Sequence, residues 1–248
     1  MMGNEQENIR TSATSWWSRM CSAPALFLSA ALFMAAGVLL TFLVAPVDAS
    51  SMGFSQKIFY LHAPIAETAL VAFGVSFAAA IVSLRRGTDC VPGIAEQLEV
   101  AAVRLGLMFS VLVLASGMIW GRAAWGVWWA WEPRLTTFLA AILVYGAYSI
   151  VRAAVEDEGR RAAVGSVYAV VAFVTVPVTF FATRYLPEGL HPVVITTSGA
   201  RMESSMVLSF VVCTVGMLLF LAALLRSEVT IARAELEVAR IKAELQQR

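Results

Sequence analysis

"PALFLSAALFMAAGVLLTFLVAP", Pro24–Pro46, carries no charged residue in 23 positions. Coiled as an α-helix at 1.5 Å per residue it reaches about 35 Å, enough to cross the roughly 30 Å hydrocarbon core of a bilayer. Five more stretches meet the same test: Ala63–Leu84, Val100–Trp120, Leu135–Val151, Ala162–Thr183 and Ser204–Leu225. The chain has 248 residues, 59% of them hydrophobic and only 14% charged, and a soluble domain does not usually have so few charges spread over such long apolar runs. The expected fold is an all-α membrane protein with six transmembrane helices. The first stretch is read as an anchor, because its apolar run is too long for a cleaved signal and no cleavage site follows it. The fourth is the shortest, and Pro177 is expected to kink the fifth.

Lysine and arginine set the orientation. With the amino terminus inside, thirteen of the eighteen basic residues fall on the inner side, and Lys57, Arg122, Arg134, Arg184 and Arg201 fall outside. Both termini are therefore expected in the cytoplasm. The net charge of +1 offers nothing to a nucleic-acid backbone, whereas contact with membrane lipids is implied throughout. Of three cysteines, Cys21 and Cys90 lie inside and Cys213 in mid-membrane, so no disulfide is expected. Beyond Leu225, Ile231, Ala234, Val238, Ile241 and Leu245 recur every three or four residues among charges. Residues 227–248 thus read as an amphipathic cytoplasmic tail helix, either solvated or docking an inner partner.

The unusual residues lie outside. "WGRAAWGVWWAWEPRLT", Trp120–Thr136, holds five of the seven tryptophans. Trp125, Trp128, Trp129 and Glu132 share helical spacing, which predicts a short interfacial helix presenting one aromatic face. An aromatic belt is the ordinary reason for membrane tryptophans, but belts are spread over many helix ends. Five in one loop suggest a flat apolar platform. Arg122 and Arg134 suit propionate carboxylates and lipid phosphates equally. Pro133 suits the first turn of the fourth span, and Glu132 would then sit at that helix's positive end. Glu67, one turn below His62, is either an intramembrane functional acid or a snorkelling one.

The only two histidines, His62 in "IFYLHAP" and His191 in "PEGLHPVV", both fall on the outer side. Two histidines hold zinc or copper poorly, and no outer cysteine completes a set. A haem needs only two axial ligands and a broad apolar surface. No Cys-x-x-Cys-His is present for covalent haem.

The tryptophan run resembles the WWD signature of haem-handling proteins. With "IFYLHAP" before the second span, "LHP" in the third outer loop and six spans, the chain resembles the CcmC family of cytochrome c maturation proteins. That resemblance implies a six-helix haem-handling domain over residues 1–226 in a bacterial inner membrane. It implies haem b as non-covalent, transient cargo at the external face, with His62 and His191 as axial ligands. Trp120, Trp125, Trp128, Trp129 and Trp131 would form the platform, beside Glu132, Arg122 and Arg134. It also implies partners: the haem chaperone CcmE, the ABC transporter subunits CcmA and CcmB, and the small membrane protein CcmD. Glu132-Pro133-Arg134 stands where the family usually has Asp-Ala-Arg, and acid-Pro resembles the related CcsA and CcmF. A haem lyase acting directly on apocytochrome is therefore the alternative, against a delivery subunit without enzymatic activity. A small-molecule transporter with an aromatic vestibule is a third reading, which requires polar residues near the membrane midplane.

Overall fold

A computed structural model describes residues 22–47, 52–86, 93–185, 189, 195–196, 199–200 and 202–246. Seven α-helices appear among them: α1 (Ala23–Leu43), α2 (Phe59–Arg86), α3 (Ile94–Trp125), α4 (Pro133–Ala153), α5 (Glu158–Ala172), α6 (Thr175–Tyr185) and α7 (Ser204–Gln246). A 3-10 turn, Gly53–Ile58, leads into α2. A two-residue antiparallel ladder, Ile195–Thr196 with Gly199–Ala200, precedes α7. Six helices are long and apolar enough to cross a membrane, taking α5 and α6 as one span. The chain is a multi-pass membrane protein.

The fifth span breaks at Phe173–Val174, between α5 and α6, and Pro177 explains the position. Proline lacks an N–H, and its ring clashes with the carbonyl four residues earlier, which is Phe173. Pro64 sits near the start of α2, where the carbonyl it displaces is that of Tyr60 in the helix's first turn. α1 and α7 run antiparallel in close contact. A Cβ at Gly37 would lie 2.5 Å from Cys213 Sγ, and one at Gly216 2.9 Å from Met34 Sδ, so only glycine admits this spacing. Cys213 is a buried free thiol, while Cys21 and Cys90 lie outside the described residues.

Three packed clusters stack along the bundle. At the tryptophan end Phe59, Tyr60, Trp120, Phe210 and Cys213 meet. In the middle Ile65, Ala69, Phe109 and Leu221 join α2, α3 and α7. At the opposite end Phe73, Tyr145, Tyr148 and Ala169 join α2, α4 and α5, with Phe73 and Tyr145 stacked at 3.7 Å. There Glu99, fully buried, accepts bonds from Tyr148 Oη at 2.7 Å and Ser166 Oγ at 2.5 Å. One turn away Arg152 pairs with Glu96 at 2.7 Å. A buried acid survives only when its oxygens are satisfied, so these groups fix α3, α4 and α5 to one another.

The tail is not a separate helix. α7 runs unbroken for 43 residues, about 64 Å, roughly twice the hydrocarbon thickness. From Arg233 onward every described side chain is exposed.

Candidate functional site

α2 delivers His62 to the tryptophan end. Its ring is buried, at 8% exposure, and three groups of α3 hold it. Ser116 Oγ lies 2.9 Å from His62 Nδ1 and also donates to the Leu112 carbonyl at 2.7 Å. With its one proton committed there, the serine oxygen accepts from Nδ1–H, and the imidazole lone pair resides on Nε2. That is the tautomer a metal-ligating histidine adopts when its other nitrogen donates a bond. Gly117 lies against the ring: a Cβ there would sit 2.9 Å from His62 Cε1. Trp120 closes the third side at 5.5 Å between ring centroids.

The tryptophan run departs from the expected interfacial helix. Trp120–Trp125 form the last turn and a half of α3, Gly126 ends that helix at φ 77°, and residues 127–132 are not helical. Left-handed backbone suits glycine and stops a helix, which overrides the helical spacing of Trp125, Trp128, Trp129 and Glu132. The Arg122 guanidinium donates to the Gly126 carbonyl and seals the turn. The loop then folds back on α3, such that a Cβ at Gly121 would be 3.0 Å from the Val127 carbonyl oxygen. Pro133 occupies the first turn of α4 as expected, and Glu132 is its N-cap residue in extended conformation.

The five tryptophans divide by role. Trp120 is buried, packed on Phe59 and, at 5.2 Å, on Trp125. Trp128 and Trp131 are 60% and 76% exposed. Trp129 meets Trp131 edge to face at 5.5 Å, and its buried Nε1 finds no hydrogen-bond partner among the described residues. Wide indole faces open to the surroundings are the feature a flat apolar ligand needs.

Glu132 is buried, and Gly189 lies against it. A Cβ at Gly189 would lie 2.5 Å from Glu132 Oε2, so a larger residue there would push the Glu132 carboxylate aside. Gly189 is two residues from His191, which itself lies outside the described residues. Arg134 is half-buried in the first turn of α4. Glu67 faces α7, accepting from Thr214 Oγ1 at 3.1 Å. Lys57, counted as an outer charge, is buried: its Nζ donates to the Thr41 and Ala45 carbonyls at 2.6 and 2.5 Å, tying the end of α1 to the 3-10 turn before His62. Sequence reasoning passed over Ser116, Gly117 and Gly189. The visible signal was a Ser-Gly pair one turn before Trp120 in an otherwise apolar span.

Residues 9–244 match the family model for heme exporter protein C, CcmC. The chain belongs to that family. The match takes in most of the tail as well as all six spans. Heme exporter protein C of Rhodobacter capsulatus is 31% identical over 155 residues, 62% of either chain. That of Paracoccus denitrificans is 32% identical over 139 residues, 56% of either chain. The Escherichia coli K12 protein is 26% identical over 163 residues, 65% of this chain and 64% of its own. These alignments thus span less than two thirds of the relatives' length.

Proposed function

We propose that the chain binds haem b non-covalently at the external face of a bacterial inner membrane and delivers it to the haem chaperone CcmE. It does so as the haem-presenting member of a complex with CcmA, CcmB and CcmD, for cytochrome c biogenesis. His62 and His191 are the axial ligands in this reading, and the Trp120–Trp131 loop is the platform. The observation that carries it is the construction around His62. A buried imidazole held through Nδ1 by Ser116, with its lone pair on Nε2, stands beside a loop of exposed tryptophans. Gly189, two residues before His191 in the sequence, lies against Glu132 of that same tryptophan loop, which supports His191 as the second ligand.

The residues fit a haem. Trp128 and Trp131 offer ring faces, and the unpartnered Trp129 Nε1 offers a buried donor. Arg134 and Arg122 flank the loop and suit propionates, although Arg122 already serves the Gly126 carbonyl. Haem iron takes two axial nitrogens, and a ligand fixed through its other nitrogen keeps its orientation.

The test is transfer. Membranes containing the chain, its three complex partners and the haem chaperone are expected to accumulate chaperone bearing covalent haem, seen by in-gel haem staining. His62→Ala should abolish that band. Haem attachment to apocytochrome c without the chaperone would refute delivery and establish a lyase.

A further inference from the structure

Glu67 and Arg104 are the only charged residues within the six apolar stretches. Arg104 lies near the inner end of its span and reaches Glu228, beyond the sixth stretch, at 3.7 Å. Glu67 has no such exit. Its one hydrogen bond among the described residues comes from Thr214 Oγ1 at 3.1 Å. From Ser204 to Thr214, α7 advances about 15 Å, half the hydrocarbon thickness, so the Glu67 carboxyl group stands close to the bilayer midplane. A glutamate side chain is about one helical turn long and does not reach the headgroups from there. An acid at that depth is costly unless it is paired. Thr214 serves one oxygen, and the side chain is only half-buried.

The face on which Glu67 opens suits a helix. Glu67, Val71, Gly74 and Ala78 share one side of α2 by their spacing. Val71 is 43% exposed and Ala78 is exposed. A Cβ at Gly74 would meet nothing among the described residues nearer than the Phe173 ring, at 3.9 Å. α7 borders this stripe through Thr214, and the end of α5 borders it through Phe173, which stacks on Phe77 at 4.3 Å. Small residues at Gly74 and Ala78 let another backbone come close. We propose that the stripe docks a transmembrane helix of another membrane protein that carries a lysine or arginine near its middle, and that this cation pairs with Glu67. Charge selects the occupant. In a medium of low dielectric, an acid and a base at one depth attract strongly and offset each other's cost of leaving water. A second copy of this chain does not fit, because its one span cation, Arg104, lies near the inner surface and already meets Glu228. Lipid headgroups do not come to the midplane. His62 turns to Ser116 of α3 while Glu67 turns to α7, so the docking face is separate from the haem site proposed above.

The experiment is photo-cross-linking of the full chain in its native membrane, with p-benzoylphenylalanine replacing Val71 or, as the control at matching depth, Leu39, an exposed residue of α1. A discrete partner is expected at Val71 and not at Leu39. Mass spectrometry of the joined peptides should place the link in an apolar helix with a lysine or arginine near its middle. Glu67→Gln, which keeps an acceptor for Thr214, should lower the yield several-fold at equal abundance of the chain. Glu67→Lys should abolish the link, and an acid in place of the partner's cation should restore it. Links from Val71 only to this chain or to lipid, the same partner at Leu39, or a partner helix without a mid-span cation would each overturn the proposal. So would a yield that Glu67→Gln leaves unchanged, or a loss in Glu67→Lys that the partner's acid does not repair. Haem has no part in the readout, so the outcome is independent of the haem reading.

Discussion

Gly117→Ala separates haem ligation from stability. The added Cβ would stand 2.9 Å from His62 Cε1, about 0.6 Å inside the closest comfortable carbon contact of about 3.5 Å. The imidazole is pinned from the other side by Trp120 at 5.5 Å, so it has to slide along α3 and stretch its 2.9 Å bond to Ser116. Losing that bond costs about 1 kcal/mol and frees the ring to take the wrong tautomer. Replacing a helical glycine by alanine returns about 0.8–1 kcal/mol, so the folded bundle should melt within a degree or two of wild type. Haem affinity should fall roughly tenfold, equivalent to about 1.4 kcal/mol. Titration of haem into the detergent-solubilised protein, followed at the Soret band beside a thermal melt, reads both quantities. Unchanged affinity and spectrum in Gly117→Ala would show that the pocket around His62 does not position a ligand.

Other residues should show the same separation of roles. Trp128→Ala and Trp131→Ala are expected to weaken haem binding with little change in melting temperature, because both side chains are exposed; Trp120→Ala should lower both, losing about 3–5 kcal/mol of packing. Lys57→Met leaves the carbonyls of Thr41 and Ala45 without their donor and should destabilise the end of α1 by about 2 kcal/mol, visible as faster amide hydrogen exchange over residues 41–45. Glu99→Gln sets an amide N–H₂ against the Tyr148 or Ser166 donor. It should cost about 1–3 kcal/mol in the melt while leaving the haem spectrum untouched, since the acid sits at the opposite end of the bundle.

The spans were legible because a bilayer imposes one length and one composition on every crossing helix. The run at 24–46 and its five counterparts all became helices at nearly the expected places. Pro133 and Pro177 were legible for a similar reason, since proline acts through its own ring and its neighbours' backbone. The tryptophan loop was not. Helical spacing of Trp125, Trp128, Trp129 and Glu132 arose by coincidence, and the left-handed Gly126 decided the matter locally. Nor could spacing show that Trp120 packs beneath His62 while Trp131 stands open, because that division depends on how the loop folds back over Gly121. Ser116, Glu99 and Lys57 acquire meaning only from partners dozens of residues away or on other helices. The tail's periodicity was plain, but its continuity with the sixth span needed the whole helix.

The axial pair is the centre of the account, and the most direct measurement is the absorption spectrum of the protein purified from haem-replete membranes. Wild type, His62→Ala, His191→Ala and the double variant would be compared, each with its haem content. The account predicts a low-spin bis-imidazole spectrum in wild type, an altered spectrum in each single variant, and loss of bound haem in the double. Haem bound to all four with the same spectrum, or no haem in wild type, would contradict it.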